Sequence, residues 1–210
     1  MLTVHVWSDV VCPWCYLGKR RLEVAIEKLG APVETVWHSF ELDPRRTAEK
    51  QGEKSAAERL AQKYGMPLES ALVMMEQMEE RGRAEGIEFS LPGTKTLQSF
   101  DAHRLLHYSA TENKQPELVE RIFRAHFTET LDVGSWDVLA QLAHEVGLDA
   151  DTARQVLESG QYEDAVRSDE AAAQQLGITG VPFFVIGAYG ISGAQPSDVL
   201  LDVLKQSEGA

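Results

Sequence analysis

The sequence predicts an α/β fold in which a long helical excursion separates two strand-bearing halves. Three observations carry this reading. The chain opens with a strand, a helix and a strand; it closes with two strands and a helix; and from about Pro44 to Gly177 its apolar residues recur at helical spacing. The 210 residues suit one large domain or two small ones.

Each element has its own signal. Leu2 to Trp7 alternates and is rich in β-branched and aromatic residues, as a strand should be. Leu22, Ile26 and Leu29 then follow a helical period until Gly30 and Pro32 break it. Val33 to Leu42 reads as a second strand, closed by Asp43-Pro44. Ala57, Leu60, Ala61 and Tyr64 precede Gly65, and Leu68, Leu72, Met75 and Met78 follow Pro67. Phe100, His103, Leu106 and His107 share one helix face, and Leu118, Ile122, Phe123 and Phe127 follow Pro116. Ser135 is placed to cap a helix over Trp136 to Val146, which Gly147 ends. Two short helices follow, over about 150–159 and 161–176. The run "GVPFFVI" returns to strand, "GAYG" reads as a turn, "ISG" as extended chain, and Pro196 to Leu204 as a last helix.

Composition narrows the function. Hydrophobic residues make up 43% and charged residues 25%, as in ordinary folded proteins. The longest apolar runs are too short for a transmembrane helix, and the N-terminus lacks the pattern of a signal peptide. The expected location is therefore the cytoplasm. A formal net charge of −13 repels phosphates and anionic lipids, which sets aside nucleic acid and membranes as partners. The charge itself reads as a solubility device.

The two cysteines are the informative residues. Cys12 and Cys15 stand two residues apart in "CPWC", so they staple no distant parts of a fold. A structural zinc site would need further ligands, and the sequence has no second such pair. Redox chemistry is the reading that explains the pairing. Thiol–disulfide exchange needs a thiolate, an exposed attacking sulfur and a second thiol to resolve the mixed disulfide. Cys12 sits at a helix start, where unpaired N–H groups and the helix dipole favour the thiolate. Pro13 suits the first helical turn. The N–H groups of Trp14 and Cys15 are expected to point at the Cys12 sulfur. Cys15, one turn inward, is the resolving thiol, and Trp14 is expected at the rim as an apolar contact for substrate.

Other residues carry less. His103 and His107 have the i, i+4 spacing of a metal pair, but no carboxylate motif accompanies them and a structural helix is the preferred reading. His38 reads as a sheet histidine. Met66, Met74, Met75 and Met78 could line a peptide groove, but core filling explains them better.

The stretches "SDVVCPWCYLGK", "FELDP", "AHRLLHY", "GITGVPFFVI" and "SGAQP" resemble the DsbA-like thioredoxin superfamily, in its FrnE-type branch. That resemblance implies a thioredoxin-like fold with a large all-helical insertion: residues 1–44 and 177–210 form the thioredoxin-like part and 45–176 the insertion. It also implies a thiol–disulfide oxidoreductase, with Pro182 in cis facing the dithiol and Val181 offering backbone hydrogen bonds to an extended substrate. The implied partners are protein or small-molecule disulfides and thiols. No resident cofactor is implied, and glutathione is the one small molecule expected as a co-substrate. Monomer and homodimer both remain open. In the cytoplasm, reduction or isomerisation is favoured over net oxidation.

Two other functions compete. The 2-hydroxychromene-2-carboxylate isomerases and kappa-class transferases share the inserted fold but use a serine where Cys12 stands, so the complete CPWC argues against a glutathione-dependent isomerase or transferase. A non-enzymatic holdase would need only the apolar rim.

Overall fold

The computed structural model describes residues 1–44, 54–95 and 97–208. The boundary expected at residue 45 lies outside the described residues. A four-stranded sheet has the order β2-β1-β3-β4, with β1 (Leu2–Ser8), β2 (Val33–Ser39), β3 (Phe183–Ile186) and β4 (Tyr189–Ser192). β2 runs parallel to β1, whereas β3 is antiparallel to β1 and β4 antiparallel to β3. The helix α1 (Pro13–Leu29) makes the crossover between the parallel strands, as such a pair requires. A second helix, α9 (Ser197–Glu208), closes the chain.

The strand period of two sorts side chains between two faces. Val4 and Val6 stand opposite Ile186 and Phe184, and all four are fully buried in the main core with Leu17 and Leu22 of α1 and Leu200 and Leu204 of α9. Trp7 faces the other way and packs with Ala173 and Ile178, beside Phe183 and Val185.

The middle of the chain is helical among the described residues, apart from one short 3-10 turn at Leu91–Gly93: α2 (Ala56–Tyr64), α3 (Leu68–Ala84), α4 (Phe100–Thr111), α5 (Gln115–Phe127), α6 (Trp136–Glu145), α7 (Ala150–Ser159) and α8 (Glu163–Gln175). Gln115 shows how these helices cover the sheet. Its side-chain amide accepts from Trp37 N–H at 3.1 Å and donates to Trp37 C=O at 3.1 Å, so the open edge of β2 is satisfied by a side chain. Tyr16 of α1 stacks on Phe123 of α5 at 5.0 Å, and Lys19 pairs with Glu120 at 2.5 Å. These contacts bind α1 to the helical part.

The structure differs from expectation at a few points. The turn before β4 is shorter than "GAYG": Ile186 pairs with Tyr189, which leaves Gly187 and Ala188 as a two-residue loop. β2 ends at Ser39, where the Asp169 carboxylate takes the Ser39 N–H at 2.8 Å. Ser135 stands at the α6 cap without a side-chain hydrogen bond. Met75 and Met78 fill core as expected, but Met74 is exposed beside Leu68, Leu72 and Val73 on α3.

Candidate active site

The corner between β1 and α1 is built by Asp9. Its backbone C=O accepts from Cys12 N–H at 3.0 Å. Its carboxylate accepts from Val11 N–H at 3.3 Å and from Leu42 N–H at 2.8 Å. The group is buried, which by itself would raise its pKa. Interaction with His103 and the bonds from Leu42 N–H and Ser99 outweigh burial, and the carboxyl lies below its ordinary range.

Cys12 is the N-cap of α1, in extended conformation, and Pro13 follows in the first turn. The expected N–H contacts to its sulfur do not form in the expected way. Cys15 N–H donates to Cys12 C=O at 3.0 Å, and the cap makes no side-chain hydrogen bond. The first turn is tight, so that amide is spent on the backbone. Cys12 Sγ turns instead to Val181, whose C=O accepts from it at 3.7 Å.

Both cysteines are free thiols. Cys12 is less exposed than the sequence suggested, at 5%, and Cys15 is 0% exposed. Burial pushes the Cys15 thiol well up, and the neighbouring Cys12 adds to this. Trp14 projects into solvent at 42% exposure.

The peptide bond between Val181 and Pro182 is cis. Pro182 is buried against α1, where only a glycine fits. A Cβ on Gly18 would meet Pro182 Cγ at 2.8 Å and Phe184 Cζ at 3.2 Å. A mid-helix glycine normally gains stability on mutation to alanine. Here the sign should reverse: Gly18→Ala is expected to lower stability by about 1–3 kcal/mol through overpacking. Urea unfolding would detect it, and a stabilised variant would refute the tight contact.

Some functional neighbours were not anticipated from sequence. Arg81 of α3 stacks its guanidinium 5.6 Å from the Trp14 ring centre, so the helical part supplies a positive charge at the rim. Ser8 faces the Cys15 thiol from the end of β1. The dipeptide Ser8-Asp9, separated from Cys12 by two residues, was the available signal for two of these groups. Arg81 had none, because its proximity comes from tertiary packing.

The histidines His103 and His107 diverge. His103 Nε2 lies 3.5 Å from Asp9 Oδ1, and His107 Nε2 lies 3.0 Å from Asp169 Oδ2. His38 stacks on Trp7 at 4.3 Å and places Nδ1 2.7 Å from Asp169 Oδ1. Asp169 is buried, yet hydrogen bonds from His107, His38 and Ser39 N–H overcome burial and hold its carboxyl well below the ordinary range.

A family model described as the DSBA-like thioredoxin domain matches residues 3–205. The chain belongs to the DsbA-like thioredoxin family. A probable DsbA oxidoreductase, SCO1869 from Streptomyces coelicolor, is 40% identical with a TM-score of 0.92, over 100% of this chain and 91% of that one. The uncharacterized protein YwbO of Bacillus subtilis is 35% identical over 94% of each chain. The cytosolic disulfide reductase DsbM of Pseudomonas aeruginosa shares the fold at 18% identity, with a TM-score of 0.66 over 100% of both chains. The family is that of the DsbA-like oxidoreductases. No described helix is long and apolar enough to cross a membrane.

Proposed function

We infer that this protein is a thiol–disulfide oxidoreductase whose centre is the Cys12–Cys15 pair. The observation that carries the reading is the pairing of two free thiols in one helical turn, the outer one facing the Val181 carbonyl at 3.7 Å. Cys12 attacks a substrate disulfide and forms a mixed disulfide. Cys15 then attacks Cys12 Sγ, releases the substrate thiolate and leaves the Cys12–Cys15 disulfide. The backbone at Val181, held by the buried Pro182, receives an extended segment of substrate by strand-like hydrogen bonds. Pro13 and the exposed Trp14, with Arg81 behind it, form the rim on which that segment rests.

Residues 1–44 and 177–210 carry this chemistry, and the inserted residues 45–176 cover it and shape its approach. The substrates are protein or small-molecule disulfides, and glutathione is the co-substrate that returns the pair to the dithiol. DsbM has also been solved with GSH. We place the activity in the cytoplasm, in the direction of reduction or isomerisation.

The test is to quench a reaction of the reduced protein with oxidised glutathione in acid and to map the adduct by peptide mass spectrometry. The mixed disulfide is expected on Cys12. An adduct found first on Cys15 would reverse the roles, and a reaction that yields neither an adduct nor a Cys12–Cys15 disulfide would remove the activity.

A further inference from the structure

The rim of the dithiol carries a charge that runs against the rest of the chain. The formal net charge is −13. Yet the side chain that the helical part sets over Trp14 is an arginine, its guanidinium carbon 5.6 Å from the ring centre. Trp14 itself directly follows Pro13, next to Cys12.

Arg81 is exposed, and among the described residues no carboxylate neutralises it. Gln77 and Met78, one turn back on α3, carry no charge. Glu85, one turn on, is turned to Arg21 of α1 at 2.8 Å. That ion pair does a second thing. It ties the end of α3 to α1 about two turns beyond Trp14, which sets the two helices in register where Arg81 meets the indole. The next residue, Gly82, is pressed on Phe89: a Cβ there would meet the ring at 2.3 Å. Ile87 N–H also donates to Gly82 C=O at 2.8 Å. The backbone beside Arg81 is therefore fixed. A stacked guanidinium uses its face and keeps its in-plane N–H donors free. Those donors match a carboxylate in a two-point contact.

We propose that Arg81, seated on Trp14, binds a carboxylate of glutathione and so sets the preference of the dithiol for this anionic partner. The inference rests on the exchange at Cys12 described above and adds the group that recognises the small molecule. Glutathione carries a free carboxylate on either side of its thiol. The chain as a whole repels such an anion, and Arg81 offsets this beside the sulfur that reacts. The Val181 backbone receives the cysteinyl part and Arg81 the carboxylate, so the adduct on Cys12 is held at two points. In that exchange a glutathione thiolate bonds to the Cys12 sulfur and the Cys12–Cys15 bond breaks. The electron pair leaves on Cys15, which takes a proton. A second glutathione thiolate then bonds to the glutathione sulfur and releases Cys12 as the thiolate. The cysteine pair has gained two electrons, and the two glutathiones have lost them as one disulfide.

The reverse reaction passes through the same adduct and is simple to follow. Reduced protein is mixed with oxidised glutathione, or with the disulfide of glutathione diethyl ester, in which every carboxylate is blocked. Acid quenching and intact-mass analysis give a second-order rate constant for each. The net charge of the chain favours the ester, so the reading is the change in the acid-to-ester ratio on mutation. Arg81→Gln is expected to lower this ratio about fivefold, the scale of an exposed two-point ion pair. Arg81→Glu should lower it further, and the effect should shrink in about 0.5 M salt. Arg83→Gln removes the same charge about 200° round α3 and should change the ratio by less than about twofold. Arg81 and Arg83 are both exposed, so these changes leave the core intact.

An unchanged ratio in Arg81→Gln would overturn the proposal. An equal fall in Arg83→Gln would also overturn it, since it would mark the field of the whole chain. Peptide disulfides with Glu or Gln beside the cysteine separate the two sources of a carboxylate. Sensitivity to Arg81 confined to the peptides would move the carboxylate to a protein substrate and overturn the assignment to glutathione. A wild-type protein that reacts with neither glutathione disulfide would strike the Cys12–Cys15 reading instead.

Discussion

Cys12→Ser is expected to bring insulin disulfide reduction down to the rate seen without protein, while Cys15→Ser accumulates a mixed disulfide on Cys12. The first loss follows from chemistry at one atom. A serine hydroxyl is a far weaker nucleophile than a thiol and cannot form the mixed disulfide. The second follows from the division of labour. Without the Cys15 sulfur nothing inside the protein attacks the Cys12–substrate bond, so the adduct persists until an external thiol arrives. Turnover measured with dithiothreitol, together with intact-mass analysis of each variant, separates the outcomes. Wild-type-like activity in Cys12→Ser would exclude the dithiol mechanism and favour a holdase that uses the exposed surfaces of Trp14 and α3.

Phe123→Ala is expected to cost about 3–5 kcal/mol, a large share of the ~5–15 kcal/mol that holds a native domain together. Phe123 is 0% exposed. Its ring lies 5.0 Å from Tyr16 of α1, 6.5 Å from Trp37 of β2 and 6.2 Å from Phe127 of its own helix. Truncation opens a cavity at the point where α1, β2 and α5 meet. For a chain of this size the midpoint of thermal unfolding should fall by on the order of 10 °C. The loss should appear in one transition, because the ring contacts both the sheet and the inserted helices. Phe123→Leu should recover much of it by refilling volume. A change below about 1 kcal/mol in the alanine variant would show that the cluster contributes little beyond its neighbours.

The order of elements was legible in the chain because each boundary carries its own chemistry. Gly30, with φ of 70°, ends α1 where the sequence placed a break, and Gly65, with φ of 62°, does the same for α2. The β-α-β and β-β-α ends and the helical middle needed only periodicity and these stops. Cys12, Cys15 and Pro13 were legible as a unit, since their meaning depends on three adjacent positions at a helix start. Pro182 and Val181 were reached only through resemblance, because nothing local in "GVPFF" says which distant residue the strand will meet.

What the sequence determined by itself is the local part: a dithiol in one turn, a helix that begins at Pro13, and strands whose alternate residues face opposite sides. The tertiary structure decided what surrounds the sulfurs. It buried Cys12 beneath Val181, turned His103 to Asp9 rather than to His107, and brought Arg81 over Trp14. The physical reason is range. Backbone propensity and capping act over about four residues, the reach of a helical hydrogen bond. Burial, ion pairing and desolvation depend on which surfaces meet, and here surfaces such as those of Cys12 and Val181 lie 169 positions apart in the chain.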